Sequence, residues 1–162
     1  MSILSHPPFM SEFDLHLWTT SRHYRSYQKL GAHLCQQDGQ AGVHFAVWAP
    51  NASGITVMGD FNSWDRSSHP LPAFDSQWGI WSGFLPGLQV GDAYKYCVYS
   101  GESWGERCDP YGFWSELRPS NASRVWDLGQ YEWGDAAWME ARQSKYIKKS
   151  FLSVYEGHLG SW

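Results

Sequence analysis

Gly42-Val-His-Phe-Ala-Val-Trp-Ala-Pro-Asn-Ala52, followed closely by Ile55-Thr-Val-Met-Gly-Asp-Phe-Asn-Ser-Trp-Asp65, is the stretch that decides the fold. Its first half alternates with a period of two, Val43, Phe45 and Val47 on one face and His44, Ala46 and Trp48 on the other. That is the pattern of a half-buried strand, closed here by the turn signal Pro50-Asn51. The second half is a short strand that runs straight into a loop, Asp60 to Asp65. The loop sets an indole beside amide and carboxylate groups, a mixture suited to a ligand with apolar ring faces and hydroxyl edges. A carbohydrate is such a ligand.

Outward from this pair, strand and turn signals run from about Leu34 to Leu128. Trp78 to Leu85 alternates Ile80 and Phe84 against Trp81 and Leu85 and ends at Pro86-Gly87. Ala93 to Tyr99 sets Tyr94, Tyr96 and Val98 against Lys95, Cys97 and Tyr99, and Ser100 to Ser103 reads as its hairpin turn. A last strand includes Ala122 to Trp126. The fold class expected is therefore mainly β, an immunoglobulin-like antiparallel sandwich over residues 34–128. Residues 1–33 read as a helical lead-in. Ser11 to Asp14 has the shape of a capping box, Phe13, Leu17 and Trp18 share a helical face, and Tyr24, Tyr27 and Leu30 mark a second short piece. Residues 129–152 read as a linker with a short helix, Ala136 to Gln143, capped by Asp135. Residues 153–162 read as one further strand, with Val154, Glu156 and His158 on one side and Tyr155 and Leu159 on the other.

A chain of 162 residues with 43% hydrophobic and 17% charged side chains has room for one domain with appendages and a sizeable core. A formal net charge of −4 without a dense Lys/Arg cluster argues against nucleic acid and against an anionic membrane as partners. No apolar run approaches the roughly 18 residues of a membrane span. Met1 to Met10 lacks the basic start and apolar core of a secretory signal, so a cytoplasmic location is expected. Cys35, Cys97 and Cys108 have neither C-x-x-C spacing nor an even count, and no H-E-x-x-H or glycine-rich phosphate loop occurs; neither a metal nor a cofactor is expected. Of the 11 tryptophans, most are expected in the core and the remainder are ligand candidates. Asp60 and Asp65 read as turn residues rather than as a catalytic pair, and Asp109 before Pro110 as another turn signal.

The motifs quoted above, together with His69-Pro70, G-I-W at Gly79 to Trp81, Y-K-Y at Tyr94 to Tyr96, D-P-Y at Asp109 to Tyr111 and S-V-Y-E-G-H-L-G-S-W at Ser153 to Trp162, occur in an order and spacing that closely resembles the N-terminal part of 1,4-α-glucan (glycogen) branching enzymes. The resemblance covers nearly the whole chain. It implies that the sandwich is similar to carbohydrate-binding module family 48 and that Ser153 to Trp162 is the first strand of a catalytic (β/α)8 barrel. The family's nucleophile, acid and stabilising aspartate would lie on later strands beyond Trp162, so this chain is expected to be truncated, to hold no catalytic residue and to be inactive alone.

The implied partners are α-1,4-glucan (glycogen, amylose or a maltooligosaccharide) and the missing catalytic barrel. In glycan-binding members sugar rings stack on a Trp of the F-N-x-W loop and on a second Trp after the next hairpin turn, and a Lys follows the aromatic of the Y-K-[YF] strand. Residue by residue these are Trp64, Trp104 and Lys95, with the Asn62 amide available to hydroxyls; the match at Trp104 is looser than at Trp64. The implied function is that of a glycan-binding and structural module of a branching enzyme, which in glycogen biosynthesis transfers α-1,4-glucan segments to form α-1,6 branches. The alternative is a stand-alone adaptor that tethers a partner protein to glycogen. An adaptor has no use for Ser153 to Trp162, and an independent glycosidase would need an acid and nucleophile about 5 Å apart that this sequence does not offer.

Overall fold

The computed structural model describes residues 9–144, 153–158 and 160. Met1–Gln130 and Tyr131–Trp162 are two compact units. In the first, Ser11 starts α1 (Glu12–Thr19): its hydroxyl accepts from the Asp14 amide and the Asp14 carboxylate accepts from the Ser11 amide, the reciprocal capping box. A single 3-10 turn, Ser26–Gln28, follows. The strands are β1 (Gly31–Gln37), β2 (Gln40–Trp48), β3 (Gly54–Gly59), β4 (Pro70–Leu71), β5 (Ala73–Asp75), β6 (Ile80–Pro86), β7 (Ala93–Ser100), β8 (Ser103–Arg107), β9 (Trp114–Ser115) and β10 (Ser123–Arg124). The sheet thus opens at Gly31 rather than at Leu34.

Among the described residues the pairings are antiparallel and make two sheets, one ordered β1-β2-β6-β5 and the other β4-β3-β7-β10-β9, with β8 also paired to β7. Val43, Phe45 and Val47 of β2 meet Ile55 and Val57 of β3 and Tyr94 and Tyr96 of β7 in the core, as their period-two spacing requires. The other face of β2 departs from simple alternation, because His44 and Ala46 are buried as well. The lead-in covers His44. Phe9 stands edge-on to His44 with centroids 4.7 Å apart, Trp18 stands edge-on to Trp48 at 5.8 Å, and Lys29 Nζ donates to the Phe9 carbonyl at 3.0 Å. Asp14 ties this layer together through His23 and Lys29, each 3.1 Å away. Burial opposes its charge, but hydrogen bonds from Ser11 and the Lys29 ammonium outweigh that and hold its pKa down to about 2.

The tryptophans do not fill the core. None of those described is fully buried; Trp48, Trp64, Trp78, Trp104, Trp114, Trp133 and Trp138 are exposed. Aliphatic side chains, Phe45, Tyr94 and Tyr96 occupy the space between the sheets, and several indoles lie where their N–H finds an oxygen at the periphery: Trp81 Nε1 donates to Ala49 O at 3.1 Å and Trp48 Nε1 to Trp78 O at 2.9 Å. Asp109 is more than a turn residue. Its Oδ1 accepts from the Tyr111 amide at 2.8 Å, while in the buried interior Oδ2 accepts from Tyr94 OH at 2.7 Å and Tyr96 OH at 3.0 Å. Burial raises the pKa of Asp109 despite these donors, and burial with the Asp109 charge pushes both phenols well above the usual tyrosine value.

In the second unit, the Asp135 carbonyl accepts from the Met139 amide at 2.9 Å at the start of α2 (Ala136–Ser144). The strand expected over residues 153–162 is not formed among the described residues. Ser153 to His158 are exposed and carry no strand or helix, since a strand is defined by its ladder and no ladder includes them. Leu159, Ser161 and Trp162 lie outside the described residues.

Candidate functional site

The site is built on the outer face of β3, β7 and β8. At the end of β3 the chain passes so close to β7 that a Cβ on Gly59 would lie 2.1 Å from the Ala93 carbonyl oxygen and 2.6 Å from the Phe61 ring. From there the turn Asp60–Asn62 and the residues up to His69 fold back over the sheet, above Thr56, Met58 and Cys97, which are buried although they point away from the core. Asn62 knots this loop. Its Oδ1 accepts from the Gly59 amide at 2.9 Å, and its Nδ2 lies 2.9–3.2 Å from Val57 O, Asp65 O, Ser68 Oγ and His69 Nδ1. Asp65 Oδ1 accepts from the hydroxyl and amide of Ser67, which holds its carboxyl below the usual range. On the far side, Thr56 Oγ1 and Tyr99 OH donate to the Arg66 carbonyl at 2.6 and 2.9 Å.

Held at both ends, the loop carries two consecutive non-glycine residues in the left-handed region, Ser63 at φ 54° and Trp64 at φ 60°. Each costs on the order of 1 kcal/mol or more, which the loop's hydrogen bonds offset. The outcome is a fixed indole. Trp64 Nε1 donates to Asp60 Oδ1 at 2.9 Å, which sets the ring's orientation while the residue stays 36% exposed. Lys95 Nζ lies 5.8 Å from the ring centroid and 3.0 Å from Glu106 Oε2. Trp104, opposite Tyr99 across β7 and β8, is 48% exposed, and the Arg66 guanidinium lies over its ring at 4.1 Å from the centroid.

Trp64, Lys95, Trp104 and Asn62 therefore belong to one face, but Asn62 turns its amide into the loop rather than toward solvent. Three contributors escaped the sequence reading: Asp60 as the partner of the indole N–H, Glu106 as the partner of Lys95, and Arg66 as the cover of Trp104. Glu106 was legible, since it alternates with Trp104 on one strand. Arg66 was not, because only the fold of the loop brings it to Trp104. The face offers apolar rings flanked by hydrogen-bonding groups, and its carboxylates at Asp60 and Asp65 are engaged within the loop. Among the described residues no group of His, Cys, Asp and Glu is arranged to hold a metal ion.

The family profile of Carbohydrate-binding module 48 (Isoamylase N-terminal domain) matches residues 29–112, that is 84 of the 162 residues. The chain belongs to the carbohydrate-binding module 48 family. The module-48 match spans β1 to β8 and includes Asn62, Trp64, Lys95 and Trp104. The module is similar to the 1,4-alpha-glucan branching enzyme GlgB of Thermosynechococcus vestitus, at 50% identity over 96% of this chain and 20% of that protein. It is 48% identical to the enzyme of the same name from Synechococcus elongatus, again over 96% of this chain and 20% of that protein. The chain thus spans about a fifth of the length of these curated relatives. A solved candidate alpha amylase from Salmonella typhimurium shares the fold, at 18% identity and a TM-score of 0.51 over 67% of this chain and 16% of that chain.

Proposed function

We propose that this module-48 chain is the α-glucan-binding and structural module of a 1,4-α-glucan branching enzyme acting in cytoplasmic glycogen synthesis, with Trp64 as its main stacking surface. The observation that carries the reading is the Trp64 indole, 36% exposed and oriented by Asp60, presented by a hydrogen-bonded loop that holds Ser63 and Trp64 in the left-handed region. A sugar ring can stack an apolar face on such an indole, and the nearby ion pair of Lys95 with Glu106 supports the reading by offering a donor and an acceptor for sugar hydroxyls. Asn62 acts as a positioning residue behind the indole. The ligand class is linear α-1,4-glucan, as in glycogen, amylose and maltooligosaccharides. Similarity to branching enzymes over 96% of the chain, beyond the sandwich itself, favours the enzyme module over a stand-alone adaptor.

On this reading the chain binds and orients glucan but does not transfer it. In native gels containing glycogen its migration should be retarded relative to a glycogen-free gel, while amylose incubated with it keeps its iodine absorbance spectrum. Unretarded migration contradicts the binding role. A time-dependent blue shift that a heat-treated control lacks contradicts the non-catalytic one.

A further inference from the structure

Trp104 is half-exposed, yet one face of its ring is already taken. The Arg66 guanidinium lies over it at 4.1 Å from the centroid, while the Arg66 backbone is fixed separately by the hydroxyls of Thr56 and Tyr99 on its carbonyl. Trp64, two residues earlier in the same loop, has no comparable cover: its nearest cation, Lys95, stands 5.8 Å from the ring and is drawn aside by Glu106 at 3.0 Å. The two indoles of the platform are therefore unequal in the ligand-free protein. Trp104 carries a guanidinium on one ring face and Trp64 does not, although Trp104, 48% exposed against 36%, is the more accessible residue overall; removing the Arg66 side chain leaves the loop's hydrogen bonds in place.

We propose that Arg66 is a specificity-determining residue: it competes with sugar for the face of Trp104, so that short α-glucans bind at Trp64 alone and only longer chains displace it and engage both indoles. The inference rests on the reading of this face as a glucan platform. Magnitudes favour displacement over permanent closure. A cation over an indole at an exposed site contributes about 0.5–1 kcal/mol, a two- to fivefold effect, and a sugar stack contributes more than that. A chain already anchored on Trp64 meets Trp104 at high effective concentration, so it can exchange the guanidinium for a sugar ring. On this proposal maltose, with only two rings, occupies Trp64 alone and gains nothing from the exchange.

Maltose and maltoheptaose titrated calorimetrically into wild type, Arg66→Ala, Trp104→Ala, Arg66→Ala/Trp104→Ala and Trp64→Ala, each checked for folding by circular dichroism, test this. Arg66→Ala should bind maltoheptaose about two- to fivefold more tightly than wild type and maltose unchanged, and the double variant should fall back to the affinity of Trp104→Ala. Weaker maltoheptaose binding by Arg66→Ala overturns the proposal in favour of a guanidinium that donates to sugar hydroxyls. Unchanged binding of both sugars, or tightening that survives loss of Trp104, also overturns it. If Trp64→Ala binds both sugars like wild type while Arg66→Ala still tightens through Trp104, Arg66 competes at Trp104 but the assignment of Trp64 as main platform fails, and the chain-length discrimination built on it fails with it. Absence of binding by every variant overturns both.

Discussion

Tyr94 and Tyr96, both buried, donate their hydroxyls to a single carboxylate oxygen of Asp109. Asp109→Ala removes the carboxylate to which both hydroxyls donate, leaving Ser123 beside Tyr94, and at about 1–3 kcal/mol for each group left unpaired the variant should lose up to about 6 kcal/mol, and at least about 1 kcal/mol, of stability in urea denaturation. A loss below about 1 kcal/mol would mean that the hydroxyls find other partners. His44 makes a second residue-scale prediction. Its Nδ1 is buried without a hydrogen-bond partner, and burial, with the positive charge of His33 and Lys29 adding in the same sense, lowers its pKa from 6.5 to about 4. The folded state then refuses a proton that the unfolded chain accepts below pH 6.5. Its contribution to stability is complete above that pH and is lost as the pH falls toward about 4. Between pH 7 and pH 5 wild type should lose about 2 kcal/mol more than His44→Phe. Equal losses in the two proteins would show that His44 does not titrate in the folded state as described.

At the scale of elements, the loop after β3 shows how a short motif becomes a surface. Gly59 allows the close pass over Ala93, Asn62 closes the turn, and Ser63 and Trp64 accept a strained backbone that turns the indole outward. Because Asn62 works through position and not through contact, Asn62→Ala should weaken maltoheptaose binding nearly as much as removal of the Trp64 ring while the sandwich stays folded by far-ultraviolet circular dichroism. Binding at wild-type strength would mean that the loop holds the indole without its amide. The strands were legible because each element's spacing states which side chains share a face. Ser11-Glu-Phe-Asp14 fixed the start of α1 in the same way, through a reciprocal pair that needs only four consecutive residues. The spacing is silent on what covers the outer face, and so His44 falls on the face opposite the core although Phe9 of the lead-in lies against it and it is buried.

For the whole molecule, the sandwich and its module-48 membership were readable from motif order, whereas three features depended on packing between distant segments. The indoles sit at the periphery because the space between the sheets suits aliphatic and single-ring side chains. Asp109 serves two tyrosines from another strand, and Arg66 meets Trp104 only when the loop folds back. A strand at Ser153 could not be decided from its own alternation, since a ladder needs neighbours. The candidate site was legible in its aromatic and basic members and illegible in the contacts that fix them. The central claim, that this fold presents Trp64 to an α-glucan, is tested most directly by calorimetric titration of maltoheptaose into wild type and folded Trp64→Ala. A stack burying about 80–100 Å² at about 25 cal/mol per Å² contributes about 2–2.5 kcal/mol before ordering costs. Wild type should therefore bind between about millimolar and tens of micromolar, and Trp64→Ala about tenfold or more weaker. Equal binding by the two proteins, or no binding by wild type at millimolar sugar, would contradict the account.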